Sequence, residues 1–247
     1  MSNGVILYQG PSNINGKEIV AIAVGLSSNS KNRKTGGMVQ VHILGTDVEP
    51  HLAIKNGTDD TICGECVHRG DPTTGRGRSC YVQVGQGPLM VYRAWKRGSY
   101  TPIKDYSIFS GRQVRFGAYG DPAAVPASVW EAIVSQTKSI TGYTHQWKKC
   151  DPVYSNWLMA SADSVEEAAQ AQALGYRTFR VSLLSDGKLA GEAMCPASKE
   201  AGYKLKCFEC LACNGNITGR KGNIVINVHG SAAHLFNAKK IPIKMAA

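Results

Sequence analysis

Four of the chain's eight cysteines, Cys195, Cys207, Cys210 and Cys213, fall within nineteen residues in the pattern C-P-x10-C-x2-C-x2-C. Gaps of two residues let neighbouring thiolates turn onto one centre. Cys195, stiffened by the Pro196 behind it, can close the fourth position from a remote turn. A metal held here would fix the path of the chain around it, so this loop constrains the fold more than any other stretch. Adjacent C-x2-C thiols do not readily satisfy disulfide geometry with one another, which argues against a purely disulfide role. Tetrathiolate sites hold a [4Fe–4S] cluster or zinc. Structural zinc usually takes two separate C-x2-C hairpins, whereas three cysteines at successive two-residue gaps with a distant Cys-Pro is a ferredoxin-type arrangement. A [4Fe–4S] cluster is therefore expected, with zinc as the alternative.

A second group, Cys63, Cys66 and Cys80, is spaced C-x2-C-x13-C, with His68 two residues beyond Cys66. Three thiolates and His68 would complete a zinc site. Three thiolates with one open iron would instead be similar in outline to the cluster of radical S-adenosylmethionine enzymes, although their C-x3-C-x2-C signature is absent. Cys150 is a further candidate ligand, and the two groups could also meet at one centre. The expected second site is thus iron–sulfur or zinc, held by Cys63, Cys66 and Cys80.

With 247 residues and 43% hydrophobic content, the chain can bury a full core. A single domain spanning 1–247 is expected, with a β-rich layer over 1–60, a cysteine-containing basic segment over 61–111 and β/α units over 112–240 that carry the 195–213 loop. No charged-then-apolar signal opens the sequence, and the apolar run Ile19–Leu26 is too short to cross a bilayer. The expectation is a cytoplasmic protein with no membrane partner, where thiols stay reduced.

The formal net charge is +10. Between residues 69 and 115 lie Arg69, Arg76, Arg78, Arg93, Lys96, Arg97, Lys104, Arg112 and Arg115, interleaved with Tyr81, Tyr92, Trp95 and Tyr100. Such a segment could track a phosphate backbone and stack bases, so nucleic acid or another anionic ligand is one expected partner. A solvated basic face is the alternative.

Residues 5–9, 19–26 and 38–44 read as strands, with a polar loop from Ser27 to Gly37 that carries Lys31, Arg33 and Lys34. From Arg112 the pattern becomes strand-then-helix. Strands are expected at 113–120, 142–147, 156–160, 177–184, 189–194 and 223–228. Pro126 opens a helix with Val129, Trp130, Ile133 and Val134 on one stripe. Ser164 and Glu167 form a capping box for a helix that Gly175 stops, and a last helix covers Ser231 to Ala238. Alternating elements predict an α/β fold: a partial or irregular (β/α) barrel, with an open doubly wound sheet as the alternative. In either fold ligands gather at the carboxyl ends of the strands. That rim would hold Tyr119, Asp121, His145, Trp147, Ser161, Ser182, Cys195 and His229. Tyr119, Asp121 and His145 are the candidate catalytic residues, with Asp121 and His145 as an orienting pair for acid–base chemistry. The plainer account is that Asp121 caps the following helix and His145 satisfies a buried hydrogen bond.

No P-loop, G-x-G-x-x-G, H-E-x-x-H or G-x-S-x-G motif is present, which argues against the commonest nucleotide-binding and hydrolase sites. The stretches Cys63-Gly-Glu-Cys66-Val-His-Arg69, Cys80-Tyr-Val82, Phe116-Gly-Ala-Tyr-Gly-Asp-Pro122, Gly142-Tyr-Thr-His-Gln-Trp147 and Cys195-Pro196 with its trailing cysteines resemble a group of proteins encoded by tailed bacteriophages. This resemblance covers roughly residues 30 to 230. It implies a phage setting, expression in the host bacterial cytoplasm and an iron–sulfur cluster, but no particular reaction. The expected function is a redox or cluster-assisted role; the alternative is a zinc-stabilised, basic nucleic-acid-binding protein.

Overall fold

Runs of Val, Ile and Ala broken by Gly and Asn make an antiparallel meander of β1 (Gly4–Pro11), β2 (Glu18–Val24) and β3 (Val39–Gly45) in the computed structural model of the chain. The structure describes residues 2–28, 34–217, 219 and 222–237. Lys31, Arg33 and Ala238, assigned above to a loop and a helix end, lie outside them.

Three helices follow: α1 (Pro50–Asn56), α2 (Asp60–Cys63) and α3 (Gly87–Lys96). The short β4 (Thr101–Pro102) then pairs parallel with β1. The chain continues as β5 (Gln113–Tyr119), α4 (Ala127–Val134), β6 (Ser139–Thr141), β7 (Tyr143–Thr144), β8 (Met159–Ala162), α5 (Val165–Ala173), β9 (Thr178–Ser182), β10 (Glu192–Met194), α6 (Cys207–Cys210), β11 (Asn223–Asn227) and α7 (His234–Asn237). One sheet has the order β4-β1-β2-β3-β5-β6, and the other β10-β11-β9-β8-β7. Every pairing from β3 through β5 to β6, and throughout the second sheet, is parallel. The α/β class therefore holds.

The passage between sheets occurs at Gly142, which separates β6 from β7. A Cβ there would lie 2.6 Å from Leu158 Cδ2 and 3.1 Å from Phe116 Cβ, so the close approach of the two sheets requires glycine. The strand expected over 142–147 is accordingly short. Gln146 turns inward instead, and its side-chain amide donates to the Cys63 carbonyl at 3.1 Å. The strand expected over 156–160 begins later, at Met159, because Pro152–Asn156 forms a 3-10 turn.

The helical layer is sparser than alternating units would give. Among the described residues, only α4 and α5 are crossover helices of eight or nine residues in the parallel region. The β9-to-β10 connection holds a 3-10 turn and the β10-to-β11 connection the four-residue α6. The strands form two sheets in series, with β4 and β10 as end strands.

The core is apolar and largely aliphatic around β2 and β3, with Phe116 and Trp130 packed at 4.4 Å between ring centres where α4 covers β5. The N-terminus of α5 follows the expected capping: Ser164 Oγ accepts from the Glu167 amide at 3.1 Å. No helix among the described residues is long and apolar enough to cross a membrane.

Candidate functional site

At the carboxyl ends of the parallel strands lies a cavity of about 260 Å³. Tyr119 and Asp121 reach it from the end of β5, His145 from β7, Ser161 from β8, Cys195 from β10 and His229 from β11, so the expected rim is largely realised. Trp147 and Ser182 are not on its wall. Trp147 Nε1 donates to the Ser161 carbonyl at 2.8 Å, and Ser182 Oγ bonds Asn227 Oδ1 at 3.1 Å.

The 195–213 loop contributes to one side. Cys195 and Cys207 line the cavity. Burial pushes the Cys195 thiol up, and the neighbouring Cys207 and Cys210 add to the rise. Burial pushes Cys213 up to about 12, although the Tyr143 hydroxyl bonded to it acts the other way, and Cys195, Cys207 and Cys210 contribute as well. The four sulfurs are thus electrostatic neighbours, and the Cys195 and Cys213 thiols are held toward their protonated forms. All eight cysteines of the chain are free thiols.

Among the described residues no three of these sulfurs lie within 4.8 Å of one another. A tetrahedral zinc site with Zn–S of about 2.3 Å needs sulfurs about 3.8 Å apart. A cluster, by contrast, binds each sulfur to a different iron.

The loop is fastened by groups that its own sequence does not reveal. Arg177, at the entry to β9, donates to the carbonyls of Ala212 (2.9 Å), Gly215 (2.6 Å) and Gly222 (2.8 Å) and to Asn214 Oδ1 (3.1 Å). Gly215 has φ +56°, and a Cβ there would sit 2.6 Å from the Trp157 carbonyl carbon. The amide of Gly142 donates to the Cys213 carbonyl at 2.9 Å and that of Cys207 to the Lys34 carbonyl at 2.8 Å. A buried bidentate pair, Arg180 with Glu192 at 2.8 and 2.7 Å, ties β9 to the start of β10.

The opposite side is mixed. Cys63, Cys66 and Cys80 stand together with His68 and His145. Burial raises the Cys63 thiol well above its ordinary range, with Cys66 the next cause, and burial also raises Cys80. His145 Nε2 lies 3.7 Å from Cys66 Sγ and 3.3 Å from Asp163 Oδ2. His68 Nε2 meets Asp163 Oδ1 at 2.8 Å, and its Nδ1 meets Ser79 Oγ at 2.9 Å. Burial disfavours a charged His145, but Cys66 and Asp163 outweigh it and push its pKa well up. Burial likewise works against the Asp163 carboxylate, and the hydrogen bonds from His145 and His68 overcome it and hold its pKa well down. Cys150 is apart from this group, with its sulfur 3.4 Å from the Tyr176 hydroxyl.

The expected Asp121–His145 pairing exists, but through the backbone. Asp121 Oδ2 accepts from the His145 main-chain N–H at 2.7 Å, and Oδ1 accepts from the Ala123 N–H at 2.9 Å, capping the 3-10 turn that follows. The carboxylate thereby sets where the His145 ring begins, while burial raises its pKa. Tyr119 is 4% exposed, and its hydroxyl has no hydrogen-bond partner among the described residues. A buried donor left in this state is available to a ligand.

The basic segment is divided. Arg69 pairs with Asp59 at 2.8 Å, Arg93 with Glu49 at 2.8 Å, and Arg112 donates to the Ile108 carbonyl. Lys96, Arg97 and Lys104 remain exposed. Arg78 and Arg115 face the cavity: Arg78 donates to the carbonyls of Cys80 and Val82, and Arg115 to the Tyr81 hydroxyl at 3.1 Å. Asp163 and Ser79 were not singled out by the sequence; the only local sign was the acidic residue immediately before the Ser164 cap. No family model, curated protein or solved structure matches this chain.

Proposed function

We propose that this chain is an iron–sulfur protein in which Cys195, Cys207, Cys210 and Cys213 hold a [4Fe–4S] cluster beside a cavity for a small anionic molecule. The observation that supports the reading is the electrostatic proximity of four free thiols, Cys195, Cys207, Cys210 and Cys213, of which Cys195 and Cys207 line that cavity. Bound there, a cluster supplies electrons or Lewis acidity. The chain's own residues bind and orient. Arg78 and Arg115 bond carbonyls and a phenol, leaving their positive charge uncompensated by those contacts, which suits a carboxylate or phosphate. Tyr119 offers an unused hydroxyl. Asp121 positions His145, the nearest acid–base group. Free thiols suit a reducing compartment such as the host bacterial cytoplasm.

The other reading, a zinc-held basic protein gripping nucleic acid through residues 69–115, draws less support because Arg69, Arg93 and Arg112 are engaged within the fold and Arg78 and Arg115 face the cavity. Protein purified without oxygen should contain about four irons per chain with matching sulfide. Cys210→Ala should lose most of both; a variant with full iron and sulfide would refute the assignment.

A further inference from the structure

We propose that His68, His145 and Asp163 form a second, mononuclear site for a divalent transition-metal ion of the zinc class, distinct from the 195–213 loop. Their donor atoms all lie within 4.8 Å of one another, and their side chains are only 12%, 21% and 10% exposed. Two imidazoles and a carboxylate are a donor set suited to zinc or iron(II).

A catalytic Cys-His-Asp relay would explain the same residues only if each histidine nitrogen had one task, one facing the thiol and the other the carboxylate. Here a single atom, His145 Nε2, faces both Cys66 Sγ at 3.7 Å and Asp163 Oδ2 at 3.3 Å. That nitrogen can only share a single bifurcated proton between them, which is not the arrangement of a relay. A cation among these atoms would use the same nitrogen and carboxylate as ligands.

The surroundings support this. His68 Nδ1 bonds Ser79 Oγ at 2.9 Å, which orients Nε2 toward Asp163, and a metal-bound histidine commonly has such a partner on its other nitrogen. The Asp121 carboxylate fixes the His145 backbone, and the Asp163 amide donates to Glu167 Oε2 at 2.9 Å. His68 and His145 border the cavity, so the ion's remaining position opens toward a water or a substrate oxygen there. Cys66 stands beside that opening.

The test is titration of the full chain, freed of metal by a chelator, with cobalt(II), read by visible absorption and by cobalt bound per chain. One cobalt should bind and be displaced by zinc. Asp163→Asn and His145→Gln should each weaken binding about 100-fold, and Ser79→Ala about 10-fold. Circular dichroism establishes that each variant is folded, and the mild Ser79→Ala change keeps the question answerable if a ligand variant is not. A Cys207→Ser, Cys210→Ser double variant should bind cobalt as the parent does, which separates this site from the proposed cluster. Absence of cobalt binding in the parent, undiminished binding in folded Asp163→Asn, or loss of binding only in the double cysteine variant would overturn the proposal.

Discussion

The two sides of the cavity differ in how they are made. The sulfur side comes from one contiguous loop whose cysteines are close in sequence, and its shape is imposed from outside by Arg177, Gly142 and Gly215. The mixed side draws His68, His145 and Asp163 from three separate segments, two of them at adjacent parallel strand ends. A loop can carry its ligands in its spacing but needs fastening. A site assembled by strand topology has its rigidity built in but leaves no local pattern.

The largest expected effect tests the fastening. Arg177→Met would leave the carbonyls of Ala212, Gly215 and Gly222 and the Asn214 amide without their charged donor. Each buried group left unmatched costs about 1–3 kcal/mol, so a loss of at least about 3 kcal/mol is expected in urea unfolding. If the loop carries a cluster, iron content should fall with it, while cobalt binding at the mixed side persists. Parental iron content in a destabilised Arg177→Met protein would show that the loop holds its shape unaided, and the contrast drawn here would break.

Acid should act on the sheet that carries the mixed side's β5 neighbour. His42 in β3 is buried, and burial, with Arg115 adding to it, lowers its pKa to about 4. Between about pH 6.5 and pH 4 the unfolded chain therefore holds a proton that the folded chain refuses. The stability contributed by neutral His42 is complete above pH 6.5 and drains away as the pH falls, by up to about 3 kcal/mol. In His42→Gln this part of the acid limb should flatten. Identical pH dependence of unfolding in the two proteins would sink the assignment.

The same contrast explains what the sequence made legible. The Ser164 cap, the stripe on α4 and the strand over 113–120 are local patterns, and each is found where expected; the second arm of the capping box is not formed, because Glu167 Oε2 accepts from the Asp163 amide, one residue before the cap. The 195–213 loop was conspicuous for the same reason. Gly142 was invisible as a crossing point because its role depends on Leu158 and Phe116 meeting it from other elements. Arg177 looked like an ordinary strand residue, although its acceptors lie 35 to 45 positions away. Helices α1 and α3 fell in stretches read as β-rich or simply basic. Asp163 acquires its meaning only when β8 is laid beside β7, bringing it to His145 and, across 95 positions, to His68.

Tyr143 lies between the two sides and gives the finest test. Its ring packs on Phe179 at 4.5 Å between centres, and its hydroxyl bonds Cys213, easing that thiol toward its charged form against the opposing effect of burial. Tyr143→Phe keeps the ring and removes only this bond, so a stability loss of about 1 kcal/mol is expected. If the loop carries a cluster, iron should stay bound. The midpoint potential should then fall, because a hydrogen bond to a ligand sulfur stabilises the more negative, reduced state. Cobalt binding by His68, His145 and Asp163 should not change. A potential equal to the parent's would remove Tyr143 from the sulfur side's electrostatics; a change in cobalt affinity would mean that the two sides communicate through the strand that joins them.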